Sequence, residues 1–230
     1  MSGMDAAWYG PDLGAHRPSR DTYERYPCSS LPPLDESQFT GMFQWLGDPG
    51  EIDPEYFASL RRLDETLSAK GRVLPRDFAI FCVSSTLRDA WGAVSATGRY
   101  SFSVGEPLPS PIETGAYLVR FLGDDSQYWY LYLRPSGHVS IVNSHLDYTR
   151  EYENDIFLER ESDLGDFAAQ RAAISWCAPS FEHFAYRFWL ESRLWRAVHG
   201  DSSEPLDSAM REYLNHYKAS TPGGAASPRA

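Results

Sequence analysis

Residues 115–144 read GAYLVRFLGDDSQYWYLYLRPSGHVSIVNS, and this stretch decides the fold. Ala116 to Leu122 is dense in β-branched, aromatic and other apolar residues, which predicts a strand. Gly123-Asp124-Asp125-Ser126 supplies turn chemistry. Gln127 to Leu133 predicts a second strand. Pro135-Ser136-Gly137 turns the chain again, and His138 to Val142 predicts a third. Connections this short allow only antiparallel neighbours, so the three strands form a meander. Tyr128 to Leu133 is apolar or aromatic at every position, so neither face of that strand suits water. It is expected at the centre of a sheet covered on both sides.

Helices are expected on both flanks. On the N-terminal side, Phe39, Met42, Phe43 and Leu46 predict a helix from about Glu36 to Leu46. A second helix starts with Asp53 as cap and Pro54 at its first position. Tyr56, Phe57, Leu60, Leu63 and Leu67 recur along it at helical spacing, and Gly71 closes it. The segment after Leu74-Pro75 is readable as the strand FAIFCV or as a short helix. Pro75 and Asp77 favour the helix. On the C-terminal side, Ser180 caps FEHFAYRFWLESRLWRAV, and a last helix follows Pro205. Helices, meander, helices in that order predict an α+β fold. Its sheet is an antiparallel or mixed meander packed against N-terminal and C-terminal helices. Residues 35–218 read as one domain. Residues 1–34, rich in Gly, Pro and Ser, read as an arm that is disordered or docked. Residues 219–230 read as a disordered tail.

The 230 residues carry 21 Lys plus Arg against 32 Asp plus Glu, a formal charge of -11. Such a surface repels phosphate backbones and attracts basic proteins. Nucleic acid is therefore not an expected partner. No apolar run reaches the roughly 20 residues of a membrane span, and no signal peptide is visible. Three cysteines, Cys28, Cys82 and Cys177, form neither a disulfide framework nor a zinc cluster. A reducing, cytoplasmic setting is expected.

Chemistry-bearing motifs are sparse. There is no phosphate loop, no dinucleotide fingerprint and no Gly-x-Ser-x-Gly elbow. His138 and His145 flank a strand, and His183 lies near a helix start, where a general base or a ligand is one reading and a half-exposed helix end another. Asp124-Asp125 reads as a carboxylate pair able to hold a cation or share protons, or as a turn. Residues 147–166 hold eight acidic and two basic residues. They read as a solvated loop or as a docking surface for a basic protein. Within them Ile156, Phe157 and Leu158 read as a last strand or a docking loop. No cofactor or metal is expected.

Three landmarks occur in order: Leu74-Pro75 before a short helix, Trp129 within an aromatic strand, and Ser180-Phe181 with Phe184 opening a helix. Over about residues 50–200 the chain resembles the SUKH superfamily, the Smi-one/Knr-four-like proteins. It departs from the family pattern after Leu74-Pro75, where VSSTLRDAWG replaces an Asn-Gly-like turn. The resemblance implies a non-enzymatic binding protein. Many bacterial members look like immunity proteins that neutralise polymorphic toxins of the nuclease or deaminase class. Others resemble intracellular regulatory scaffolds. The family offers no catalytic set to carry over. The partner-binding residues expected from charge and loop position are Asp124, Asp125, Gln127, Glu151, Glu153 and Asp155. A third reading, an enzyme using Asp124, Asp125 and a histidine, requires these groups to converge in a cleft.

Overall fold

The computed structural model describes residues 4–96, 100–124, 126–149, 167–200 and 205–220. In chain order the strands are β1 (Asp5–Gly10), β2 (Glu24–Pro27), β3 (Ser101–Phe102), β4 (Leu108–Pro109), β5 (Tyr117–Gly123), β6 (Tyr128–Leu133), β7 (Val139–Ser144) and β8 (Ser175–Ala178). The helices are α1 (Pro54–Ala69), α2 (Arg76–Val83), α3 (Ser85–Gly92), α4 (Phe167–Ala172), α5 (Phe181–Val198) and α6 (Ser208–Ser220). One sheet runs in the order β2-β1-β8-β7-β6-β5-β3, with β4 also paired to β5. β1 runs parallel to β8, and the other pairings are antiparallel. The fold is α+β with a mixed sheet. Among the described residues no helix is long and apolar enough to cross a membrane.

The meander stands where the sequence puts it. β6 lies between β5 and β7 and is buried at all six positions. Trp129, Leu131 and Leu133 join the main core with Phe78 and Phe81 of α2 and Phe181, Phe184 and Phe188 of α5. Tyr128, Tyr130 and Tyr132 join a second cluster on the opposite face, with Leu118, Val142, Tyr148 and Ile174. α1 begins as expected: the Asp53 carboxylate accepts the N–H groups of Glu55 and Tyr56, at 3.0 and 3.2 Å. The Pro75 segment is helical. Ser84 then caps α3 by accepting the Leu87 N–H at 3.0 Å, so VSSTLRDAWG becomes a further helix.

The expected helix from Glu36 to Leu46 is absent. A single 3₁₀ turn spans Glu36–Gln38, and the chain then runs irregularly, with positive φ at Gly41 and Phe43. The reason is one carboxylate. Glu182 of α5, buried, accepts the N–H groups of Gly41 and Phe43 and the indole N–H of Trp45. A charged acceptor makes stronger hydrogen bonds than a neutral carbonyl. It takes donors that a helix would spend on its own ladder, while Phe43 still reaches the core.

The N-terminal segment supplies two strands of the sheet. It is tied down by a second buried carboxylate, Glu191 of α5. Arg17 makes two parallel hydrogen bonds to it, at 2.6 and 2.7 Å. The Trp8 indole N–H donates to it at 2.7 Å and the Tyr213 hydroxyl at 2.5 Å. Arg17 also stacks over the Tyr26 ring, 4.3 Å from its centroid. β1, α5 and α6 therefore meet on one charge. Burial works against ionisation of Glu191. The charge and hydrogen bonds of Arg17, with that of Tyr213, outweigh it and hold the carboxyl below its ordinary value of 4.5.

Removing Arg17 leaves this charge buried and unpaired. Arg17→Met is expected to lower the unfolding free energy by about 3–5 kcal/mol in a urea titration. Adding Glu191→Leu should return part of it. Because the Glu191 pKa is depressed in the folded protein, its stabilisation is present above the ordinary value. It is lost as pH falls through the folded-state value. Glu191→Gln should flatten the acid limb of stability against pH.

Candidate functional site

The structure sends the two described partner-binding candidates in different directions. Asp124 serves its own turn. Its carboxylate accepts the N–H groups of Ser126 and Gln127, both at 2.8 Å, and the Ser126 hydroxyl at 3.2 Å. Its own N–H donates to the Gln127 carbonyl at 3.0 Å. The turn reading of this position is the one the geometry carries. Gln127 is partly buried, and among the described residues its buried side-chain oxygen has no hydrogen-bond partner. Asp125, Glu151, Glu153 and Asp155 lie outside the described residues, as do Ile156, Phe157 and Leu158.

His183 is engaged away from Asp124. His183 stands between two oxygens: Ser180 Oγ is 2.8 Å from Nδ1 and Glu36 Oε2 is 2.5 Å from Nε2. Serine, imidazole and carboxylate in series are the groups of an activated nucleophile. Here the same Ser180 Oγ accepts the His183 N–H at 3.3 Å as the cap of α5, and the Phe39 ring packs 4.0 Å from the imidazole. The chain of groups thus closes a helix end. Among the described residues, no group of three or more His, Cys, Asp or Glu is placed to hold a metal ion. The three cysteines are free, and burial pushes the thiols of Cys82 and Cys177 well up, away from thiolate chemistry.

The second face of the sheet is better organised for function. It carries the described residues on either side of the acidic stretch. After β7, the Tyr148 N–H donates to the Tyr130 hydroxyl at 3.1 Å, and that hydroxyl donates to the Leu146 carbonyl at 3.0 Å. Burial pushes the Tyr130 hydroxyl far up, so it stays protonated and able to donate. Arg120 of β5 pairs with Asp147 at 2.7 Å. The Tyr148 hydroxyl donates to the Gln170 carbonyl of α4 at 2.8 Å, in a buried contact. Residues 148 and 170 are thereby fastened to each other on top of β6 and β7.

Beside this clamp, over β7, β8 and β1, lies an open groove of about 510 Å³. Trp176 of β8 forms part of its lining, with Ala6, its register partner on β1, and Met4. Ser140 of β7 and the turn residues Arg134 and His138 complete that side. Arg134 is neutralised by Glu113, 2.9 Å away. Met4 packs against the same cluster as Tyr148 and Ile174, so groove and clamp are continuous.

Sequence reading missed the groove. Its strands β1 and β8 are short, and β8 is SWCA, too brief for alternation to show. The only signal is a tryptophan outside any strong strand. No family model, curated protein or solved structure matches this chain.

The clamp yields a test. Tyr148→Phe removes the buried hydrogen bonds of that hydroxyl, to the Gln170 carbonyl at 2.8 Å and from Ser144 Oγ at 3.4 Å. The expected loss is about 1–2 kcal/mol in unfolding free energy. Amide hydrogen exchange in α4 should quicken, while exchange in α1 stays as in the parent.

Proposed function

We propose that this chain is an immunity-type binding protein that neutralises a basic toxin domain, of the nuclease or deaminase class, by covering it. The observation that carries this reading is the second sheet face. Described residues there fasten the two sides of a stretch whose sequence holds eight acidic and two basic residues between 147 and 166. The chain as a whole has a charge of -11, which steers a basic partner toward it. Nucleases and deaminases present basic surfaces to their polyanionic substrates, so an acidic cover competes with substrate on the same terms.

The uses already found for the polar groups also favour binding over turnover. Asp124 holds a turn, Glu182 and Glu191 hold segments of chain, and His183 closes a helix end. The resemblance to the SUKH superfamily points the same way.

Co-expression supplies the test. The chain should restore growth to cells making the toxin domain encoded beside its gene. In stopped-flow binding, Glu151→Lys, Glu153→Lys and Asp155→Lys together should slow association at low salt by about tenfold or more and flatten its salt dependence. Asp124 is left out because its loss would disturb the turn first. An unchanged rate and salt response would sink the reading. So would recovery of only housekeeping proteins as partners, which fits a regulatory scaffold.

A further inference from the structure

Away from the tyrosine clamp, residues of α1, α2, α3 and β3 line an open cavity of about 370 Å³. Its walls are mostly rings. Phe81 and Trp91 are buried walls, and Tyr56, Tyr100 and Phe102 are half-buried ones. Gly92 also lines it, and a Cβ there would come within 2.7 Å of the Tyr100 hydroxyl. A concave site walled by rings, with a few polar groups among them, is the usual build of a place that holds a ligand or a side chain.

The polar groups of this lining identify the occupant. Arg88 is already engaged: it lies over the Tyr56 ring, 3.6 Å from its centroid, pairs with Asp53 at 2.6 Å and donates to the Cys82 carbonyl. Arg196 of α5 reaches the end of α3 outside the lining, where it donates to the Ala93 carbonyl at 2.7 Å. Asp89 is exposed, and among the described residues its carboxylate has no ion pair or hydrogen bond. The Tyr100 hydroxyl likewise has no hydrogen bond among them. Burial pushes it up to about 12, so it stays neutral and keeps its lone pairs to offer. The unbalanced charge of the lining is therefore negative. The chain around Tyr56 adds to it: residues 46–60 hold Asp48, Glu51, Asp53 and Glu55 and no basic residue, and Phe57 beside them is 51% exposed. We propose that the cavity receives an arginine side chain of a basic protein, its guanidinium against the rings and its N–H groups donating to Asp89 and the Tyr100 hydroxyl. A guanidinium is flat and weakly hydrated, and it stacks on rings while donating in its plane, which an ammonium group cannot do. Arg88 on Tyr56 is the same contact made within the chain. This rests on the binding function above and names a place where the partner is held.

Blocked amino acids test this without knowledge of the natural partner. In a heteronuclear NMR titration of the full chain, N-acetyl-arginine amide should shift the amides of Asp89 and Gly92 and the indole N–H of Trp91, with an affinity in the millimolar range. N-acetyl-lysine amide, and the uncharged citrulline analogue, should each bind about fivefold or more weakly. Asp89→Asn should weaken the arginine probe by about the same factor. Asp89 is exposed, so this variant should fold as the parent does. Tyr100→Phe should weaken it by about twofold or more.

Equal binding of the lysine or citrulline probe, no shifts at α3, or an affinity unchanged by Asp89→Asn would each overturn the proposal. Binding of methylguanidine without binding of the blocked amino acid would assign the cavity to a free small cation and overturn it too. So would binding that appears only in Arg99→Ala, a position outside the described residues, because the chain would then fill the cavity itself. Rescue of toxin-producing cells is read in parallel. A parent chain that rescues but binds no arginine probe would remove the cavity and leave the binding function standing. A parent that binds the probe but rescues nothing would remove the function, and with it the protein partner assigned to the cavity.

Discussion

A carboxylate with no access to water organises half of this molecule. Glu191 is charged in the folded protein because Arg17, Trp8 and Tyr213 converge on it. Trp8 and Arg17 come from the N-terminal segment and Tyr213 from α6, far apart in the chain. A buried charge must be met by opposite charge and hydrogen bonds or it forces the group to neutralise. Satisfying Glu191 therefore draws the N-terminal segment under α5 and seats α6 against it. Glu182 does the same for residues 41–45 at the N-terminal end of α5. The two residues are nine positions apart, about two and a half turns of helix, and so serve different sides of it. One helix thus holds three separate stretches of chain with two charges.

The sheet answers to a different constraint. β6 has no polar side to offer water, so both of its faces have to be covered. The main core covers one, with the rings of α2 and α5 packed edge to face and tilted against Trp129 and Phe121. On the other face the three tyrosines of β6 combine apolar rings with hydroxyls that need partners. Tyr130 finds them in Leu146 and Tyr148, and this is what brings the chain back over the sheet after β7. Among the described residues the cover stops short of β8 and β1, and Trp176 is half-buried there. The groove at Trp176 thus lies where the described tyrosine network ends.

Polar groups that look chemical in one dimension turn out to have structural occupations. Ser180, His183 and Glu36 form a relay in distance, yet the serine oxygen caps α5 and the imidazole lies under Phe39. Asp124 spends its carboxylate on three donors of its own turn. A hydrogen bond already made has to be broken before the group can act on a ligand, and that cost favours the surfaces where no such bond exists.

The sequence by itself determined the meander, α1, α2, α5, α6 and the acidic character. Each rests on local physics: turn residues between apolar runs, a proline after a capping aspartate, a stripe at helical spacing, a sum of charges. The same local physics predicted a helix at Glu36–Leu46 and saw no strand in 5–10, 24–27 or 175–178. Those at Glu36–Leu46, 5–10 and 175–178 were decided by partners far away in the chain, and 24–27 is a strand as the antiparallel neighbour of 5–10. Glu182 takes the amides a helix would have used, and β1 and β8 are strands because they complete each other beside β7. Gln127 read as the first residue of the second strand and as a partner-binding residue, and its side-chain oxygen is buried instead. A pairing between residues well over a hundred positions apart leaves no trace in either local pattern, so only the folded chain could reveal the groove that those strands build.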